Sequence, residues 1–182
     1  MSAPPPGGTA STVRINRAPV LTLWAAVVAE RIGFDPDEAA TLGRAVAGLN
    51  AYSKGVRLGI FQPRTGEPRE KKAALRKGEV LHVDLLQRAV PAQSTPEGIR
   101  ALSKDRPISP ESVRTYLAGK FGDSLEAVKE AMEDLARSLG PEELAERGFE
   151  LYEAFRPEVP RGKRGWGAAG VLRIDRIRAL ID

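Results

Sequence analysis

The run from Pro19 to Ile32, PVLTLWAAVVAERI, is apolar on almost every side. A helix with that pattern has no face to turn to water, so other elements must wrap it. Pro19 suits a first helical position and Gly33 supplies the stop. The chain is therefore expected to fold round a central buried helix. No stretch reaches the roughly 18 consecutive apolar residues that a bilayer span requires. The opening segment 1–12, MSAPPPGGTAST, lacks the positive and apolar regions of a secretory signal. A disordered tail and a cytoplasmic protein are expected.

After Phe34, Asp35-Pro36-Asp37-Glu38 combines an N-cap, a Pro at the first helical position and an acid at the third, a variant of the capping box. This predicts a second helix over about 36–53. Along it Ala39, Gly43, Ala47 and Ala51 recur every four residues, a strip narrow enough for another backbone to approach, with Ala25 and Ala29 as natural partners. The short connection predicts a tight antiparallel helical hairpin. In 123–139, Leu125, Val128, Met132, Leu135 and Leu139 recur at spacings of three and four, opposite a charged face of Glu126, Lys129, Glu130, Glu133 and Asp134. Gly140-Pro141-Glu142-Glu143 ends that helix and starts another through about Phe155, and a short amphipathic helix follows at about 175–181. The expected fold is mainly α: a compact bundle of six or seven helices with one minor strand or hairpin near 79–86. The expected organisation is a tail (1–12), a helical hairpin (13–61), a basic loop or linker (62–78) and a C-terminal helical region (79–182) packed with the hairpin as one domain.

The 182 residues include no Cys and one His, which excludes disulfides and thiol chemistry and leaves too few ligands for a closed zinc site. His82 and Asp84 share one face of the expected strand, but no motif places a Ser nucleophile beside them. Glu126 and Glu130 lie one turn apart without the Glu-x-x-His partner of a di-metal bundle. No catalytic residue, metal or cofactor is expected.

Charge is more informative than its total of +4. Two basic regions flank an acidic one, so a polyanion meeting either should find the acidic block facing elsewhere. Lys54 and Arg57 bracket Gly55 at a helix end; they match no GxxxxGK[ST] loop, and the helix dipole alone accounts for cations there. Residues 62–78 carry six basic and two acidic side chains, among them Arg69, Lys71, Lys72, Arg76 and Lys77, and read as an exposed arm. Residues 157–170 set Trp166 among Arg161, Lys163 and Arg164, where an aromatic can stack on a base or instead anchor the loop in the core.

In 95–121, Thr95-Pro96-Glu97 and Ser109-Pro110-Glu111 each read as a cap followed by Pro, opening two short helices separated by Asp105-Arg106-Pro107. With Ser109, Ser112, Val113, Arg114, Thr115, Tyr116 and Leu117 in the second, the spacing resembles the helix-turn-helix of bacterial DNA-binding modules. The resemblance covers about 25 of 182 residues and departs from the pattern in its turn. It implies that Val113 and Leu117 face the core while Ser112, Arg114 and Thr115 point at bases or phosphates. The function expected is a small nucleic-acid-binding protein without catalytic activity, binding DNA in preference to RNA. The alternative is a protein-interaction or homo-oligomerisation module working through its helix faces. An enzyme built on carboxylates and Arg in a helical pocket is the third reading.

Overall fold

The computed structural model describes residues 12–57, 80–159 and 169–181, with 51–57 described by backbone alone. The described order is β1 (Thr12–Ile15), α1 (Arg17–Arg31), α2 (Pro36–Arg57), β2 (Val80–Leu85), β3 (Arg88–Thr95), β4 (Gly98–Ser103), β5 (Arg106–Pro107), α3 (Pro110–Phe121), a 3₁₀ turn (Gly122–Ser124), α4 (Leu125–Arg137), α5 (Pro141–Phe155), β6 (Gly170–Arg173) and α6 (Ile174–Arg178). The expected mainly-α bundle of six or seven helices is thus corrected. Five helices of twelve residues or more and one short one share the described chain with six strands in two antiparallel sheets.

α1 is the buried centre, as its composition requires. Every residue from Ala18 to Ala29 is buried, and α2, α3, α4 and α5 pack round it. The Trp24 Nε1–H donates to the Gly148 carbonyl at 2.8 Å, and its ring meets Phe155 edge-on at 5.3 Å. The single polar atom of a large core side chain is thereby satisfied. α1 and α2 form the expected close hairpin. A Cβ on Gly43 would lie 2.4 Å from the Thr22 carbonyl oxygen, so the two backbones touch there.

The capping box forms as read. The Asp35 carboxylate accepts the Glu38 N–H at 2.8 Å, and Glu38 Oε1 accepts the Asp35 N–H at 3.1 Å. Glu38 does more than cap: its Oε2 takes the Ile99 N–H at 2.8 Å, and the buried Thr41 hydroxyl takes the Ala101 N–H at 3.0 Å. Both amides lie on β4, so one helix supplies side-chain acceptors to a strand.

The larger sheet runs β2-β3-β4-β5. The expected strand near 79–86 is β2, and it pairs from Val80↔Gln93 to Leu85↔Arg88. The first expected helix of 95–121 is instead β4, which pairs with β3 from Ala92↔Ala101 to Thr95↔Gly98. The helix-turn-helix resemblance and the DNA-binding role it implied are therefore withdrawn. A short apolar run such as GIRALS fits either period, and Pro96-Glu97 turns a hairpin, with Gly98 at φ 123°, rather than opening a helix. Its second half is helical: Ser109 caps α3, and Val113 and Leu117 are buried as the resemblance implied.

β1 and β6 form the second sheet, Thr12↔Arg173 to Ile15↔Gly170, extended by a bridge from Glu158 to Val171. α4 buries Val128, Met132 and Leu135, while α6 docks through Ile174 and Ile177. Arg137 and Arg178 (3.0 Å) both donate to Asp134, and those bonds, Arg178 foremost, hold its carboxyl below the usual range. No helix among the described residues is long and apolar enough to cross a membrane.

Candidate nucleic-acid interface

Of the residues assigned to nucleic acid, only Ser112, Arg114 and Thr115 have described side chains. Arg69, Lys71, Lys72, Arg76, Lys77, Arg161, Lys163, Arg164 and Trp166 lie outside the described residues, and Lys54 and Arg57 are described by backbone alone. The expected tail lies outside them too, except that Thr12 opens β1.

Ser112, Arg114 and Thr115 are exposed on α3. Ser112 is occupied locally, its N–H reaching Ser109 Oγ at 3.3 Å and its hydroxyl donating to the Ser109 carbonyl at 2.7 Å. Arg114 is hydrogen-bonded to Asp37 of α2, whose carboxylate also faces Arg100 at 3.9 Å. Arg100 is buried and spends its guanidinium on the carbonyls of Ile99 and Glu97. The Asp37 carboxylate therefore offsets the Arg114 charge, although the remaining guanidinium N–H donors are left over. Nearby, the Arg44 guanidinium lies 4.5 Å from the centre of the Tyr116 ring; burial raises the Tyr116 phenol and Arg44 opposes that rise.

The same pairing recurs across the described surface. Arg147 meets Glu143 at 3.0 Å, Arg156 faces Glu153 at 3.9 Å, and Arg176 bonds Glu158. Pairs as exposed as these add little stability, but they do cancel field.

Two hollows adjoin α1. A crevice of about 310 Å³ between α1, α2, α3 and α4 is lined mainly by Leu23, Val27, Ala40, Leu117 and Leu125, with Glu30 and Lys129 beside them. Burial raises the Glu30 carboxyl, Lys129 lowers it, and Glu133 and Asp35 raise it further. The crevice thus sets one carboxylate, Glu30, in an apolar lining that also holds the Lys129 amine and the Arg114 guanidinium. The other hollow, about 300 Å³, is lined by Arg14, Ile15, Asn16, Lys120 and Ala169, with no acidic side chain among the described residues. Sequence reading missed it because only the β1–β6 ladder brings residue 14 to residue 169 and α3 brings in Lys120; no local spacing signals that meeting.

His82 and Asp84 are exposed on β2 opposite Pro91 and Ala89, which offer no nucleophile. Among the described residues, no group of three or more His, Cys, Asp or Glu side chains could hold a metal ion.

The fold and surface define a mixed α and β protein in which seven described arginines face carboxylates, with strongly basic segments in its sequence. Compared with known proteins, the chain matches no family model, no curated protein and no solved structure.

Proposed function

We propose that this is a small cytoplasmic protein that attaches to nucleic-acid backbones by electrostatics, through the basic stretches 62–78 and 161–164. The observation that carries the reading is the distribution of charge. Seven described arginines, Arg100, Arg114, Arg137, Arg147, Arg156, Arg176 and Arg178, face carboxylates, while other described cations such as Arg14 and Lys120 do not; 62–78 holds six cations to two acids and 161–164 holds three cations and no acid. Unneutralised charge is what releases counterions from a polyanion. Arg69, Lys71, Lys72, Arg76 and Lys77 are the phosphate contacts, with Arg161, Lys163 and Arg164 as a second set and Trp166 available to stack on a base. Contacts of this kind set affinity and register rather than sequence preference.

The alternative of self-association through helix faces draws less support. The small-residue strip of α2 is occupied by α1, and the apolar seam of α4 is buried in the core. Fluorescence anisotropy with random duplex DNA, single-stranded DNA and RNA tests the reading. Binding at about 50 mM salt that weakens roughly ten-thousandfold by 200 mM on duplex DNA is expected for about eight phosphate contacts. No binding to any of the three at low salt would contradict it.

A further inference from the structure

β2 is an edge strand of the larger sheet. One side of it pairs with β3, and among the described residues no strand or helix runs along the other. Natural sheets guard such edges with Lys, Pro, a bulge or a very short strand. β2, VLHVDL, has no Lys or Pro, and its pairing with β3 runs from Val80↔Gln93 to Leu85↔Arg88 without a bulge. Leu81 stands 39% exposed on it, one of two large hydrophobic side chains exposed among the described residues.

The pairing with β3 fixes which backbone groups of β2 are free. Leu86 and Gln87, at φ 50° and 64°, form a two-residue turn, so Leu85↔Arg88 is a closing pair that exchanges hydrogen bonds. Bonded and unbonded pairs then alternate. Val83↔Val90 and Leu81↔Ala92 are bonded, while Asp84↔Ala89 and His82↔Pro91 are not. Pro91 agrees with this parity, because a residue without an N–H fits where no bond is due. The N–H and C=O groups of His82 and Asp84 therefore point outward from the sheet.

An antiparallel strand added there must set its own outward groups against these two residues. For a second β2, aligning His82 with His82, or Asp84 with Asp84, opposes like side chains. Aligning His82 with Asp84 of the second copy opposes unlike ones, and two-fold symmetry repeats the pair, so an imidazole N–H meets a carboxylate twice on one face. On the other face the same register sets Val83 against Val83 and Leu81 against Leu85, at the Cα spacing of about 4.5 Å of pairs without backbone bonds. The exposed Leu81 then packs beside a Leu85 that is already buried.

We propose that a second copy of this chain docks on the β2 edge, antiparallel and in that register, giving a two-fold dimer with one sheet running through both copies. Of the registers that match the outward backbone groups, it alone gives both His82 and Asp84 an opposite partner while covering Leu81. The interface uses the sheet and none of the helix faces, and it does not depend on nucleic-acid binding.

Hydrogen exchange on the full chain without nucleic acid, from about 10 µM to about 1 mM, tests the edge directly, since a small interface associates weakly. The His82 and Asp84 amides should slow at least about tenfold as concentration rises, and Leu81 and Val83, already bonded to β3, should change less. Sedimentation velocity should show monomer giving way to dimer over the same range. Leu81→Lys, a cation on the apolar face, should raise the dissociation constant at least about tenfold. His82→Asp, which opposes carboxylates, should do the same. The swap His82→Asp/Asp84→His restores unlike partners and should return association to within about threefold of wild type. All three positions are exposed, so the variants keep the monomer fold, with melting temperature as the check. A monomer at every concentration, His82 and Asp84 amides that stay unprotected, or a dimer that Leu81→Lys leaves unchanged would overturn the interface. A swapped variant as weak as His82→Asp alone would overturn the register, and with it the docking.

Discussion

Gly43 and Gly48 stand on the same helix and meet opposite surroundings. A Cβ at Gly43 would press into the Thr22 carbonyl oxygen and the Ala26 amide at 2.4 and 2.9 Å, and backbone atoms do not yield as a side-chain tip does. Gly43→Ala should therefore destabilise the fold by about 1–3 kcal/mol, the usual cost of overpacking. At Gly48 nothing lies within 4 Å, so Gly48→Ala should stabilise it by roughly 0.5–1 kcal/mol through helix propensity alone. Urea unfolding of the two variants checks both, and equal shifts would contradict the hairpin geometry. The spacing Ala39, Gly43, Ala47 exposed this contact in the sequence because close helix packing leaves a periodic mark. Glu30 left none. Its carboxyl is raised chiefly by burial, so the cost of ionising it is absent well below the ordinary value of 4.5 and grows as pH rises through the folded value. Glu30→Gln should raise the melting temperature at pH 7 and leave it unchanged near pH 3; a gain of the same size at both would contradict the sign.

At the scale of elements, α2 and β4 depend on each other. The Glu38 carboxylate closes the capping box with one oxygen and holds the Ile99 amide with the other, and Thr41 holds Ala101. Thr41→Val keeps the shape and leaves a buried N–H unanswered, a loss of about 1–3 kcal/mol. Hydrogen exchange should accelerate at Ala101 before it does in β2, and unchanged protection there would count against the coupling. The capping box was legible because its residues are local; the second use of Glu38 was not, since the Ile99 amide lies 61 residues away. The strands were hidden by their turns. Leu86-Gln87 and Lys104-Asp105 take positive φ at both central residues, a conformation usually marked by Asn-Gly or Gly, yet none of the four is glycine. Leu86 bears that strain because its side chain is buried and reaches into the space Gly148 leaves open. Pro91 disguised β3 further, since proline normally argues against a central strand. The β3–β4 ladder ends at Ala92↔Ala101, one residue short of Pro91, so the missing N–H breaks no rung of it.

Across the whole molecule, the buried character of α1 carried from sequence to structure unchanged, because a helix apolar all round has one solution. The sheet did not, because strand partners are chosen by register over long separations. Charge is where sequence and structure combine. The described body pairs many of its arginines with its acids, and the basic stretches 62–78 and 161–164 carry an excess. The measurement that reaches the central claim most directly is the dependence of nucleic-acid affinity on salt for the wild type and for Lys71→Gln/Lys72→Gln. The expected result is a steep log–log slope for the wild type that becomes shallower by about 1.8 on duplex DNA when two phosphate contacts are removed. An unchanged slope in the double variant would contradict attachment through those lysines, and affinity that ignores salt in both proteins would contradict electrostatic attachment altogether.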